Sequence, residues 1–149
     1  ENIMPKLMWH YYDRVFPNAM KVRGMPDKTG TTDKILFPEG IKQHHFGMIY
    51  EGLLHVPQDS VYTFRLTSDD GAVLQIGNEV VVDNDGHHYQ ESTTGKAALR
   101  EGFHFIEIRY FQAKYGKSLS LEMAAGDEDF GPLPADQLYH IAYPESQLP

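Results

Sequence analysis

Tyr62-Thr63-Phe64-Arg65-Leu66-Thr67-Ser68-Asp69-Asp70-Gly71-Ala72-Val73-Leu74-Gln75-Ile76 is the stretch that decides the fold. Tyr62, Phe64 and Leu66 alternate with polar residues, which is the period of a strand with one face buried. The apolar run Val73-Leu74-Gln75-Ile76 begins a second strand. Between them, Ser68-Asp69-Asp70-Gly71 has the composition of a turn. Aspartate side chains accept hydrogen bonds from backbone N–H groups two residues on, and glycine takes the positive φ angle. Two strands with an acidic turn at a sheet rim are therefore predicted.

The same period extends outward on both sides. Upstream, Phe46, Met48, Tyr50, Leu54 and Val56 share one parity, Gly52 completes the row, and Pro57-Gln58-Asp59-Ser60 breaks it. Downstream, Val80-Val81-Val82 answers Val73–Ile76 across Gly77-Asn78-Glu79, the pattern of a hairpin with a short loop. His104, Ile106, Ile108 and Tyr110 share a face while Glu107 and Arg109 point the other way, and Leu119, Leu121 and Met123 repeat the pattern. Nine Tyr, eight Phe and one Trp add residues that favour a pleated surface. An all-β chain follows, either an antiparallel β-sandwich or a partly closed barrel with long rim loops. Trp9, Tyr11 and Tyr12 are expected to pack in the core. The longest loop is expected over Met25–Gly40, rich in Gly, Pro, Thr and Asp. A turn or two of helix is expected only around Ala135–Ile141, after Pro134.

The 149 residues predict one domain, large enough to bury a core without staples. Thirteen basic against 21 acidic residues leave a net charge of −8, which repels phosphate backbones and makes nucleic acid and anionic membranes poor partners, so no nucleic acid partner and no membrane insertion are expected. No apolar run reaches the roughly 18 residues of a transmembrane helix. Cysteine is absent, so disulfides and thiolate metal sites are excluded. The chain begins with Glu1 and carries no signal-like segment, so a piece of a longer protein is expected.

The common catalytic signatures are missing: no GxxxxGK[ST], no GxSxG and no HExxH. Asp83-Asn84-Asp85-Gly86 fails as an EF-hand, because alignment on Gly86 puts Val81 at the first ligand position and Ser92 at the last. Asp69 and Asp70 either close a turn or present hard oxygen donors to calcium and, through it, to sugar hydroxyls. Asp83, Asp85, His87 and His88 either bind a transition metal, line a polar pocket or form a solvated turn. His44 and His45 are expected to point to opposite faces of a strand and to be structural. Tyr89 and Tyr115, in loops amid polar neighbours, are the candidates to stack on a sugar ring.

Taken together, Tyr50 to Pro57, Tyr62 to Ile76, Val81 to His88, Leu99 to His104, Ile106 to Phe111 and Leu133 to Leu138 resemble the protective-antigen fourteen-kilodalton domain family, in family order. The resemblance runs from about Leu7 to Leu138, within a single module taken as 1–149. Its wording over Ser68 to His88 is most like copies appended to bacterial glycoside hydrolases such as β-hexosaminidases. It implies a non-catalytic, extracytoplasmic β-sandwich that accompanies a catalytic domain and binds glycan. In sugar-binding members, paired aspartates joined by a cis peptide hold calcium, and Asp69 and Asp70 occupy those positions here. The loop Gln112-Ala113-Lys114-Tyr115-Gly116-Lys117 departs from calcium-dependent members, having two lysines and no Asp or Asn. The carbohydrate site implied at the rim comprises Asp69, Asp70, His87, His88 and Tyr115, with calcium on the two aspartates. The alternative is a structural module that packs on and shapes a neighbouring catalytic domain of the same chain without binding sugar.

Overall fold

The computed structural model describes residues 2–142. Twelve strands form in chain order: β1 (Ile3–Pro5), β2 (Leu7–Tyr12), β3 (Lys28–Thr32), β4 (Phe46–Val56), β5 (Ser60–Asp69), β6 (Ala72–Ile76), β7 (Glu79–Asn84), β8 (Glu91–Leu99), β9 (Gly102–Gln112), β10 (Ser118–Ala125), β11 (Gly131–Pro132) and β12 (Leu138–Ile141). They make two antiparallel sheets. The larger has β1-β12-β4-β9-β6-β7 in order, with β2 beside β4 and β3 outside β2; the smaller runs β11-β10-β5-β8. The sheets are separate layers rather than one closed surface, so the sandwich forms and the barrel does not.

The alternation in the sequence is the packing between these layers. Tyr50 from β4, Phe64 and Leu66 from β5, Leu74 from β6 and Ile108 and Tyr110 from β9 are all fully buried in one cluster. Each side chain of this size contributes roughly 1.5–3 kcal/mol on burial, so the cluster between the layers is a main source of the fold's stability. Tyr11 joins that core, while Tyr12 packs in a second cluster with Phe16, Val22 and Phe111 on the other face of the large sheet. Trp9 is only partly buried.

Two expected features take a different form. Met25–Gly40 is not one loop: it contains β3, whose Gly30 lies opposite Trp9 in β2. A Cβ at Gly30 would sit 2.5 Å from the indole, so glycine there lets Trp9 lie across the strand. An edge strand of Lys, Thr and Gly carries no apolar period and is hidden from pattern reading. After Pro134, only Ala135–Gln137 turns, as a 3-10 segment, and Leu138–Ile141 becomes β12 between β1 and β4. Burial of Leu138 in the main core overrides its helical prospects.

Strand directions place one set of connections together. The start of β4, the end of β5, the start of β6, the end of β7 and the end of β9 share one rim, because Phe46 faces Gln112, Ala72 faces Tyr110 and Asn84, and Ser118 faces Asp69.

Candidate functional site

That rim encloses a cavity of about 800 Å3. Asp69, Asp70, His87, His88 and Tyr115 all line it, with Tyr89, Glu91, Gln112, Lys114, His45 and the Val15–Phe16 segment completing the wall. The groups come from five places in the chain, and three of these, the β5–β6, β7–β8 and β9–β10 connections, are held by specific anchors.

The β5–β6 turn is the floor. The Asp69–Asp70 peptide is cis. The Asp69 carbonyl accepts a 2.5 Å hydrogen bond from the buried Tyr110 hydroxyl, and Asp70 Oδ2 accepts one from the Ala113 N–H at 2.8 Å. Asp70 is buried and Asp69 half-buried. Burial and then the charge of Asp70 raise the Asp69 pKa, with His88 pulling it back. Burial, followed by the charges of Asp70 and Asp69, also raises the Tyr110 pKa, so its hydroxyl stays a proton donor.

The β9–β10 loop is held by Gln112, which is buried. Its Nε2 lies within hydrogen-bonding distance of the carbonyls of Gln43, Tyr115 and Gly116 at 3.1, 3.1 and 3.2 Å, and its Oε1 accepts from Tyr110 at 3.4 Å. Tyr115, with φ +69°, swings outward and is 76% exposed. A left-handed tyrosine is uncommon, and this one presents its ring to solvent above the acidic turn.

The β7–β8 loop is fixed through Asn84, Asp85 and His88. Buried Asn84 ties the layers together, its Nδ2 reaching Leu66 O, Ser68 Oγ and Glu91 O, while its Oδ1 accepts from Thr93. Asp85 accepts N–H bonds from Ala19 at 2.8 Å, Met20 at 3.3 Å and Gly86 at 2.7 Å, which fastens the 3-10 turn Ala19–Lys21 to the loop. Among the described residues, Asp83 accepts only from the Asp85 N–H. Asp85 is therefore a loop fastener, and no group of three or more His, Asp or Glu among the described residues is gathered for a metal. Of the four residues Asp83, Asp85, His87 and His88, the two histidines line the cavity and the two aspartates do not.

His88 has both ring nitrogens on carbonyls: Nδ1 is 2.7 Å from Tyr89 O and Nε2 is 2.8 Å from Asn84 O. Only the doubly protonated ring can donate to both. Burial lowers the His88 pKa, but the two carbonyl bonds, Glu91 and Asp70 outweigh it and the net direction is upward. His87 is exposed, with its ring edge on Phe111 at 4.9 Å. Tyr89 stands 80% exposed at the lip.

Sequence reasoning set His44 and His45 aside as strand residues. The structure places both before β4, gives His45 a left-handed φ of +59°, and puts it on the cavity wall with its Nδ1 unpartnered among the described residues. Gln112, Asn84 and the Val15–Phe16 segment were not singled out either. Only Gln112 had a visible signal, as an amide ending a long apolar strand, where a buried side chain must hydrogen-bond to several groups.

The donor chemistry at the turn suits calcium in part. Two adjacent carboxylates with one raised pKa form a charge pair that a cation would relieve. The remaining ligands of a six- to eight-oxygen shell would be carbonyls of the Ala113–Gly116 loop and water, since that loop has no oxygen side chain except the Tyr115 hydroxyl.

The fold and the rim define a β-sandwich with a loop-built hollow at one end. The PA14 domain family model matches residues 7–131, and the chain belongs to that family. Among solved structures, it is similar to an anti-sigma factor domain-containing protein (19% identity, TM-score 0.81), covering 98% of this chain and half of that one. It is also similar to a PA14 sugar-binding domain from an RTX adhesin (17%, 0.79), covering 92% and 99%. A third similarity is to a β-glucosidase from Kluyveromyces marxianus solved with glucose (15%, 0.63), covering 83% of this chain and 16% of that one. No curated protein sequence matches the chain. No helix among the described residues is long and apolar enough to cross a membrane.

Proposed function

We propose that this PA14 domain is a non-catalytic carbohydrate-binding accessory module whose ligand sits in the rim cavity. The observation that carries the reading is convergence: an acidic pair with one member buried and one half-buried, three histidines and two strongly exposed tyrosines line one hollow. Polar groups fixed by buried anchors are suited to orient hydroxyls, and exposed aromatic faces to receive the C–H side of a pyranose. The similarity to the sugar-binding domain of the RTX adhesin supports the ligand class. Asp69 and Asp70 would accept hydroxyl hydrogen bonds or hold calcium, His87 would add a polar contact, His88 would hold the loop, and Tyr115 would stack.

The β-glucosidase neighbour, in which the matched region is a small part of the chain, supports a glycoside hydrolase as the parent protein. A β-hexosaminidase parent rests on the sequence wording around Ser68 to His88 alone, and an extracytoplasmic location follows from the same company.

A glycan array tests the reading. Wild-type chain should be retained on a restricted set of glycans, and Tyr115→Ala should lose that retention while melting like the wild type. Retention lost in chelator and in Asp69→Ala assigns calcium to the turn. No retention on any glycan, with or without calcium, sinks the reading.

A second reading has its own observation. Phe103 packs on His55 at 4.9 Å and on Tyr139 at 5.4 Å while remaining 47% exposed, and Ile3 and Ile141, paired on the same face of the β1–β12 ribbon as Tyr139, are exposed as well. This apolar group lies away from the rim and suits packing against the neighbouring catalytic domain. Both roles can coexist. If deleting the module lowers the parent's stability or its activity on soluble substrates, the packing role gains support.

A further inference from the structure

A second hollow, of about 380 Å3, lies on the outer face of the large sheet, away from the rim cavity. Its floor is set by strand register: Glu51 of β4, Glu107 of β9 and Gln75 of β6 are direct neighbours across three adjacent strands. Phe105, 63% exposed, stands at one side, beside the β6–β7 turn that carries Asn78. That turn is pinned there by the Gly77 N–H donating to the Phe105 carbonyl at 2.9 Å. Arg109 closes the other side.

The polar groups of this hollow are already oriented. Arg109 donates from Nε to Glu107 Oε1 at 2.9 Å and from Nη2 to Oε2 at 3.4 Å, while Nη1 donates to the Val22 carbonyl at 2.5 Å. Glu51 Oε2 lies 3.1 Å from His10 Nε2, leaving Oε1 unengaged among the described residues. The Gln75 side-chain amide has no hydrogen-bond partner among the described residues, although it lines the hollow. So the fork of Arg109 neutralises one carboxylate and fixes its direction, and a carboxamide offers both a donor and an acceptor. A strongly anionic ligand would meet Glu51 and Glu107, and a simple cation would meet Arg109. A neutral polyol meets neither penalty, and vicinal hydroxyls match carboxylate and amide pairs.

We propose that this hollow is a second carbohydrate subsite that takes a single neutral pyranose. Phe105 stacks on the C–H face of the ring, while Gln75, Glu51 and Glu107 bind its hydroxyls. The volume is at the small end of ligand pockets and suits one ring rather than a chain. No group here depends on the Asp69–Asp70 turn, so the subsite works whether or not the rim binds glycan.

Amide chemical-shift mapping on the labelled chain tests this, with free glucose and, separately, N-acetylglucosamine added at millimolar concentration. Saturable shifts are expected at Gln75, Asn78, Phe105 and Glu107, unchanged by chelator and by Asp69→Ala. Phe105→Ala should weaken that response roughly fivefold, the size of one aromatic stacking contact, and Gln75→Ala should weaken it as well. Both side chains are at the surface, and unchanged melting confirms that the variants fold. Absence of saturable shifts at these four amides with both sugars overturns the subsite. So do shifts that both variants leave unaltered, or shifts confined to Asp70, His87 and Tyr115.

Discussion

The two hollows on this molecule are built by opposite means. The rim cavity is made of loops, and its wall depends on a few buried polar anchors drawing separate segments together. The hollow on the outer sheet face is made of strands, and its floor follows from which residue faces which in β4, β9 and β6. A loop-built site is easily reshaped and easily lost. A register-built site survives as long as the sheet does, because moving one residue out of line would turn every neighbouring side chain to the other face.

Gln112→Ala should have the largest effect. It removes the donor that holds the carbonyls of Gln43, Tyr115 and Gly116 and leaves a gap beneath the loop. A loss of about 3 kcal/mol in denaturant unfolding is expected, together with loss of rim binding. Glu107 and Phe105 should keep their hexose response, and its loss would break the distinction between the two hollows.

Gly71→Ala comes next. A Cβ there would lie 2.5 Å from both Asp85 Oδ1 and the Gly86 nitrogen, so the β7–β8 loop must move. About 2 kcal/mol should be lost, and amide exchange in residues 84–90 should speed up while β4 and β9 stay protected.

A smaller effect is carried by pH. The folded pKa of His88 lies above its ordinary value of 6.5, despite burial, because two carbonyls, Glu91 and Asp70 favour the charged ring. Its contribution is therefore complete below pH 6.5 and is lost as pH rises through the folded value. Unfolding free energy should fall over that window in the wild type and flatten in His88→Gln. A flat wild-type profile would remove His88 as the loop's clasp.

The smallest effect on stability should come from Tyr115→Ala, whose ring is mostly in solvent, yet glycan retention should drop sharply. Phe105→Ala should do the reverse, leaving rim retention intact while weakening the sheet-face response.

How far sequence could reach follows the same division. Strands with one buried face wrote their period plainly, as Tyr62, Phe64 and Leu66 or Ile106, Ile108 and Tyr110 show. β8 did not, because it is built of small and polar residues; a side chain on Gly95 would collide with the Val81 carbonyl of β7. β3 was hidden for a similar reason at Gly30. At the rim, the acidic turn and the histidine loop were legible as local chemistry, and the structure brings them to one hollow. Their anchors were not legible, because Gln112 reaching Gln43 or Asp85 reaching Ala19 is a matter of tertiary placement across 69 and 66 residues. The Glu51–Glu107–Gln75 row was equally invisible, since register between distant strands is not carried by any one of them.

The rim cavity is the proposed place where this PA14 domain meets glycan. Its most direct test is amide mapping of the labelled chain with the best glycan from the array, in wild type and in Asp69→Ala. Saturable shifts centred on Asp70, His87 and Ala113 to Gly116 are expected in the wild type, abolished by the substitution. Saturable binding that leaves those amides unmoved, or that Asp69→Ala does not weaken, would contradict it.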